Sequence, residues 1–231
     1  PLPIANLPTP LTLCDVNNPG DEQEEFDLTQ AIAEIVGTQQ GLVVTFHFTL
    51  LQAQQGTNAL PTLYTNTSNV QTIHVRVLNP VTGCYSTTTL DLRVEPLPIL
   101  LIPINPITLC DDNNDGVATF DLGALIPGLL NGASDITVTF HETEQEALDG
   151  NNDLPLSYLS ILPWQQFIYV RAENNTTGCV RVMMIELNVN PRPEVPTNLP
   201  NIVQCDTDGN QQNGLSTFDL SVQTPIILAA Q

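Results

Sequence analysis

Ile107-Thr108-Leu109-Cys110-Asp111-Asp112-Asn113-Asn114-Asp115-Gly116, followed by Thr119-Phe120-Asp121-Leu122, is the stretch that decides the fold of this chain. Its frame occurs twice more: Leu11-Thr12-Leu13-Cys14-Asp15 precedes Phe26-Asp27-Leu28, and Ile202-Val203-Gln204-Cys205-Asp206 precedes Phe218-Asp219-Leu220. Further out, Thr45-Phe46-His47 matches Thr139-Phe140-His141, Leu60-Pro61 matches Leu154-Pro155, and Thr82-Gly83-Cys84 matches Thr177-Gly178-Cys179. A fixed period of about 95 residues is the mark of a tandem repeat in which each copy has the size of a single small domain. The period divides the chain into a linker over 1–10, a first copy over 11–95, a linker over 96–106, a second copy over 107–190, a linker over 191–200 and the start of a third copy over 201–231. The linkers are rich in proline and predict semi-rigid, extended spacers, so the copies should form a rod.

Within a copy, period-two alternation dominates. Ile73, Val75 and Val77 alternate with His74 and Arg76, and Leu90, Leu92 and Val94 with Asp91, Arg93 and Glu95. Ile168, Val170 and Ala172, then Ile185, Leu187 and Val189, repeat the pattern. Each such pair of strands is joined by a short Asn- and Gly-containing connection ending at Cys84 or Cys179, which predicts a hairpin. A third strand places Leu42, Val44 and Phe46 inward, with Ile136, Val138 and Phe140 as equivalents, and leaves His47 and His141 on the outer, solvated face. Short helical turns follow Phe-Asp-Leu, where Leu28, Ile32, Ile35 and Val36, and Leu122, Leu125, Ile126, Leu129 and Leu130, recur at helical spacing with Asp27 and Asp121 as caps. A second turn begins at a capping box, Thr49 to Gln52 and Thr143 to Glu146, and stops at Gly56 or Gly150. The fold class is all-β: tandem immunoglobulin-like β-sandwiches with short helical turns.

The formal charge is -20, with five arginines and no lysine. Such a field repels polyanions, so nucleic acid and direct membrane insertion are poor expectations. Five cysteines sit at repeat-equivalent positions and not in C-x-x-C pairs, which disfavours zinc and redox-enzyme chemistry. Repeat logic selects pairings that close within a copy, Cys14 with Cys84 and Cys110 with Cys179, each worth roughly 4 kcal/mol in the chain-entropy picture. Cys205 is then left with a partner expected beyond Gln231, which implies an excerpt of a longer extracellular protein.

One loop carries the oxygen ligands of a cation site. Asp111, Asn113, Asp115 and Gly116 reproduce the start of a D-x-N-x-D-G calcium loop, although the twelfth position is Leu122 and only the neighbouring Asp121 could substitute. The first copy offers Asp15, Asn17, Asp21 and Asp27, and the third Asp206, Asp208, Asn210 and Asp219. Ca²⁺ is therefore the candidate cofactor, and the alternative is that these Asx and Gly residues only form turns and caps. Catalysis finds no support: no nucleophile recurs beside His47 and His141, His74 is replaced by Tyr169, and the lone Trp164 has only Asn69 or Val70 near its place in the first copy.

Cys110 to Gly116 followed by Thr119 to Leu122, Val138-Thr139-Phe140-His141, Ile168-Tyr169-Val170-Arg171 and Thr177-Gly178-Cys179 resembles the tandem repeats of giant surface proteins of gliding Bacteroidota exported by the type IX secretion system, including SprB-type gliding adhesins. That resemblance implies a non-enzymatic adhesive or structural stalk on the cell surface, outer membrane-associated. Its partners would be neighbouring repeats and surface polysaccharide or other cell-surface proteins. The alternative is a ligand- or carbohydrate-binding accessory module of a secreted multidomain protein.

Overall fold

The computed structural model of the chain describes residues 2–103, 105–194, 196–206 and 213–229. In the first copy the strands are β1 (Leu11–Cys14), β2 (Glu25–Asp27), β3 (Val43–His47), β4 (Leu63–Thr65), β5 (Gln71–Leu78) and β6 (Tyr85–Glu95), with the helices α1 (Ile32–Val36) and α2 (Leu50–Gln55). The second copy repeats the order: β7 (Ile107–Cys110), β8 (Thr119–Asp121), α3 (Ile126–Leu130), β9 (Ile136–His141), α4 (Glu144–Asp149), β10 (Ser157–Leu159), β11 (Gln165–Asn174) and β12 (Val180–Asn190). Each copy therefore has a four-stranded sheet, in the order β1-β6-β5-β3 or β7-β12-β11-β9, and a two-stranded one, β2-β4 or β8-β10. These are two sandwich-like domains of about 95 residues, the all-β architecture that the alternation predicts.

The chain gathers into two compact units, one holding the first copy with Asp121–Leu156 and Ile168–Ile185, the other holding Asn105–Phe120, Ser157–Phe167 and the described residues from Glu186 onward. In the first copy, β5 buries Ile73, Val75 and Val77, and β6 buries Leu90, Leu92 and Val94, against Phe26, Leu28, Ile35 and Phe46. Full burial of side chains of this size is worth about 1.5–3 kcal/mol each, which makes the alternating positions the main stabilising term. The same positions in the second copy, Ile168, Val170, Ala172, Ile185, Leu187 and Val189, are buried as well.

The local helix rules hold. Asp27 caps a 3-10 turn over Leu28–Ala31 by accepting from the Thr29 N–H, and Asp121 accepts from Ala124 at 3.1 Å. Thr49–Gln52 and Thr143–Glu146 both form complete capping boxes. Gly56 and Gly150 stop their helices at φ +65, a left-handed conformation that L side chains rarely adopt. In the third copy Asp219 caps another 3-10 turn before α5 (Thr224–Leu228), yet Phe218 and Leu220 are 46% and 72% exposed where Phe26 and Leu28 are buried.

The proline-rich segments are not bare spacers. Pro3, Pro8, Pro98 and Leu100 are buried. The Asn6 N–H donates to the Ile35 carbonyl at 3.0 Å, and at the matching place the Leu101 N–H donates to Leu129 at 2.9 Å. Thr9 donates through its N–H and hydroxyl to Glu34 at 2.7 and 2.9 Å. Each of these two linkers lies along the short helix of the copy that follows it, where its backbone groups find partners they would lack as a free polyproline strut.

Candidate functional site

β1 runs parallel to the last residues of β6, with Cys14 opposite Glu95. Cys84 stands just before Tyr85, at the other end of the same eleven-residue strand. At about 3.4 Å per residue the two cysteines of the copy are on the order of 35 Å apart. A disulfide needs Cα atoms within about 7 Å, so the expected closure of Cys14 with Cys84 does not form. The second copy has the same register, Cys110 opposite Asn190 at the end of β12 and Cys179 just before its start, and the expected Cys110–Cys179 bond fails for the same reason.

Instead Cys14 is bonded to Cys179, with Cα atoms 5.6 Å apart and 165 residues between them in sequence. The bond joins the first copy to the second. Cys179 is buried, with Sγ 3.9 Å from the Glu95 carbonyl oxygen, whereas Cys84, Cys110 and Cys205 are exposed free thiols. A cysteine pair at opposite ends of one strand cannot staple its own domain but is placed to staple successive ones.

The acidic loop that follows each first cysteine is organised by backbone donors. Asp111 is buried; its Oδ1 accepts from the N–H groups of Asn113 at 3.0 Å and Asn114 at 2.8 Å, and its Oδ2 from Gly116 at 2.6 Å. Burial raises the Asp111 pKa, but the donors of Asn113, Gly116, Asn114 and Asp115 outweigh it and hold the carboxyl below the ordinary Asp value. Asn113 donates to Asp115 Oδ2 and Asp115 Oδ1 accepts from Val117, so these three candidate ligands bond mainly to their own loop. Gly116 is held at φ +83 with Pro163 and Trp164 where a Cβ would be, and its carbonyl accepts from the Trp164 N–H at 2.8 Å. The loop also grips the outgoing linker: Arg192 donates to the Asp112 carbonyl and to Asn114 Oδ1, both at 3.2 Å.

The first copy meets the same need differently. Asp15 Oδ2 accepts from Gly20 at 2.6 Å, and the buried Glu24 accepts from the N–H groups of Val16 and Asn17 and from the Asn17 side chain. Glu24, absent from the sequence-based ligand set, stands closer to Asp15 in function than Asp21, which bonds Asn18 and Gln23, or Asp27, the helix cap. In the third copy Asp206 Oδ2 accepts from Gly214, and hydrogen bonds from Ser221 hold Asp219 below the ordinary value; Asp208 and Asn210 lie outside the described residues. Among the described residues no three His, Cys, Asp or Glu side chains come together as a metal cage. Asp111, Asp115 and Asp219 accept from backbone N–H groups close by in their own segments, so a calcium ion at those oxygens would have to share them, whereas Asp15 Oδ1 and Asp206 Oδ1 are buried with no hydrogen-bond partner among the described residues.

The two strand histidines are not solvated. His47 and His141 are fully buried; Nδ1–H donates to the Thr57 and Asn151 carbonyls at 2.8 Å, and Nε2 lies 2.9 Å from the Thr45 and Thr139 hydroxyls. The segment after the second helix folds back over the outer face here, as the bridge of His47 to Ala59 records. Alternation alone could not foresee that cover. A second pair of buried polar groups was also hidden. Gln71 donates to the Tyr64 hydroxyl at 2.9 Å and accepts from the Thr67 N–H, and Gln166 repeats this with Tyr158 at 2.6 Å and Ile161. The signal was present, since Tyr64 and Tyr158, and Gln71 and Gln166, recur at the repeat spacing.

Fold and staple together define a tandem β-sandwich protein whose successive modules are joined covalently. The chain belongs to the Flavobacterium inter-domain disulphide bond domain family, which matches twice, over residues 10–98 and 106–193. No curated protein matches the sequence. Among solved structures it is similar to a SusE-like surface-located polysaccharide-binding protein from the heparin utilisation locus of Bacteroides thetaiotaomicron, at 14% identity and TM-score 0.30 over 82% of this chain and 34% of that one. It is also similar to extracellular cadherin domains 1–4 of protocadherin gamma B7, at 11% identity, TM-score 0.25, 89% of this chain and 56% of that one. For Drosophila N-cadherin the values are 8%, 0.25, 82% and 50%. The chain thus spans about a third to just over half of the structures it resembles.

Proposed function

We propose that this chain is a mechanical segment of a cell-surface filament or adhesin, secreted through the type IX system and serving attachment or gliding. The observation that supports this is the Cys14–Cys179 bond. It bypasses everything between those residues when the chain is pulled from its ends, so the sandwiches transmit tension without being drawn out. A disulfide persists in an oxidising, extracellular setting, and the charge of -20 keeps such a segment soluble and away from polyanions. No helix among the described residues is long and apolar enough to cross a membrane. The modules work without catalysis, through burial, capping and cross-linking.

Single-molecule stretching tests this. With the bond intact, the 165-residue span stays hidden; with reductant, it adds about 58 nm of contour at ~3.5 Å per residue. Equal contour with and without reductant would remove the mechanical reading. A second reading, a carbohydrate-binding accessory module, is favoured by one feature. Trp164, 44% exposed, lines a cleft of about 430 Å³ with Gln165, Asn188 and Asn190, which combines an aromatic face with amide donors. Selective binding of the chain on a glycan array, lost in Trp164→Ala, would establish that activity.

A further inference from the structure

The two copies agree at the core and capping positions described above, and they part company around one cleft of about 430 Å³, lined by Trp164, Gln165, Asn188, Val189, Asn190 and Pro191. With Gln71 matched to Gln166 and Leu92 to Leu187, the corresponding residues of the first copy are Asn69, Val70, Arg93, Val94, Glu95 and Pro96. The valine and the proline are kept, and the other four change. In the first copy the Asn69 side chain is committed to the strand beside it, accepting from the Val94 N–H at 2.9 Å and donating to the Val94 carbonyl at 2.8 Å. Arg93 and Glu95 form an ion pair at 3.7 Å. In the second copy the Trp164 backbone carbonyl accepts from the Val189 N–H at 2.9 Å, which replaces the Asn69 amide and releases the side chain at that position. Asn188 and Asn190 stand where the ion pair was.

The released side chain belongs to the one tryptophan of the chain, and it is 44% exposed. Its backbone is held at φ +67, with the N–H donating to the Gly116 carbonyl at 2.8 Å. A bulky residue in this conformation is a strained one that its surroundings must fix. The ring lies against Gly116: a Cβ there would stand 3.0 and 3.1 Å from the indole Cε2 and Cδ2 atoms, whereas a Cβ at the matching Gly20 meets nothing within 4 Å. Beside this rigid platform, Asn188 Oδ1 is buried without a hydrogen-bond partner among the described residues. A buried acceptor of that kind calls for a donor. Gln165 Nε2 donates to Glu186 Oε1 at 2.7 Å, which fixes the amide at the cleft wall. No residue lining the cleft carries a charge.

We propose that the second copy alone binds a non-ionic glycan in this cleft. A pyranose ring stacks its C–H face on the Trp164 indole, one sugar hydroxyl donates to Asn188 Oδ1, and the Gln165 and Asn190 amides serve neighbouring hydroxyls. The proposal rests on the carbohydrate-binding reading above and adds to it the class of ligand, the buried acceptor and the restriction to one copy. An aromatic face with a few convergent amides suits a ring whose faces are apolar and whose rim is hydroxylic. A sulfated or uronic polymer would bring anionic groups to a cleft that lacks a cation, in a chain of charge -20. The first copy presents an ion pair and no ring at the matching place, and so takes no ligand there.

The test uses the whole chain, in which Trp164 is the single source of tryptophan emission. Dextran, laminarin, mannan and arabinoxylan serve as non-ionic probes, and heparin and polygalacturonate as anionic ones. At least one non-ionic polymer should shift the emission to the blue and shield the ring from acrylamide, equally at low and high salt, and neither anionic polymer should do so. Affinity electrophoresis in gels containing the responding polymer then compares the parent with Trp164→Ala and with Asn188→Arg combined with Asn190→Glu. The double variant installs the ion pair that the first copy's sheet already carries, so it should fold and keep its emission while binding falls by about tenfold. Trp164→Ala should run without retardation. Emission moved only by the anionic polymers, and restored by salt, would overturn the ligand class and leave carbohydrate binding standing. Retardation that survives in both variants would overturn the site and move carbohydrate binding elsewhere on the chain. No response to any non-ionic polymer would overturn the proposal, and an empty glycan array in addition would remove the carbohydrate reading beneath it.

Discussion

Replacing Cys14 by Ser removes the staple with little other damage, because Cys14 is only partly buried. Cys179 is the poorer choice: it is buried, and a serine hydroxyl there would add its own desolvation cost. The bond closes a loop of 165 residues, for which chain entropy gives about 5 kcal/mol of stabilisation. With a urea slope of about 2 kcal/mol/M, that corresponds to a midpoint lower by roughly 2.5 M. The assay is urea unfolding followed by far-UV circular dichroism for the oxidised chain, Cys14→Ser and Cys84→Ser. Cys14→Ser should unfold at a much lower midpoint and lose its response to reductant. Cys84→Ser should match the parent within about 0.5 kcal/mol, as a surface substitution does. A Cys14→Ser midpoint within about 0.5 M of the parent, or an equal loss in Cys84→Ser, would refute the reasoning, the latter by reinstating closure within a copy.

Three other outcomes follow from the packing and the acidic loops. His141→Ala should cost about 2–4 kcal/mol in thermal or urea unfolding, because it leaves a cavity and strands the Asn151 carbonyl; a neutral result would return the histidine to the surface. Asp111 and Glu146 both titrate below their ordinary values, so the stability they supply is present above pH ~4 and is lost as pH falls through their depressed folded-state pKa values. For Glu146 the leading cause is the Asn152 side-chain hydrogen bond, followed by Thr143. Melting temperatures of Asp111→Asn and Glu146→Gln should therefore be lower at pH 7 and fall less steeply toward pH 3 than those of the parent. Since N–H donors already occupy the Asp111 carboxylate, millimolar Ca²⁺ should move the melting temperature by no more than a degree or two; a larger rise, reversed by chelation, would establish the cation site the loop sequence suggests.

What the sequence disclosed was local or periodic. Alternation at Ile73–Val77 and Leu90–Val94, capping at Asp27 and Thr143, and the stop at Gly56 each depend on a few neighbouring residues, and the structure keeps all of them. What stayed hidden depended on register or on cover from distant segments. The cysteine pairing turns on β1 lying parallel to the far end of β6, although a strand running unbroken from Tyr85 to Glu95 already places Cys84 a strand's length from its supposed partner. His47 is outward by alternation and buried by the fold-back at Ala59. The D-x-N-x-D-G spacing of Asp111 to Gly116 serves an Asx turn as well as a cation, because both need oxygens at alternate positions around a tight bend.

Cleavage after Arg76, Arg93, Arg171 and Arg181 places each of the five cysteines on a different tryptic peptide. Mass spectrometry of the oxidised, unreduced chain therefore reads the staple directly. The expected product joins peptide 1–76 to peptide 172–181, through Cys14 and Cys179, with Cys84 and Cys110 recovered as free or capped thiols. Peptide 1–76 joined to 77–93, together with 94–171 joined to 172–181, would place each bond inside its own copy and contradict the account.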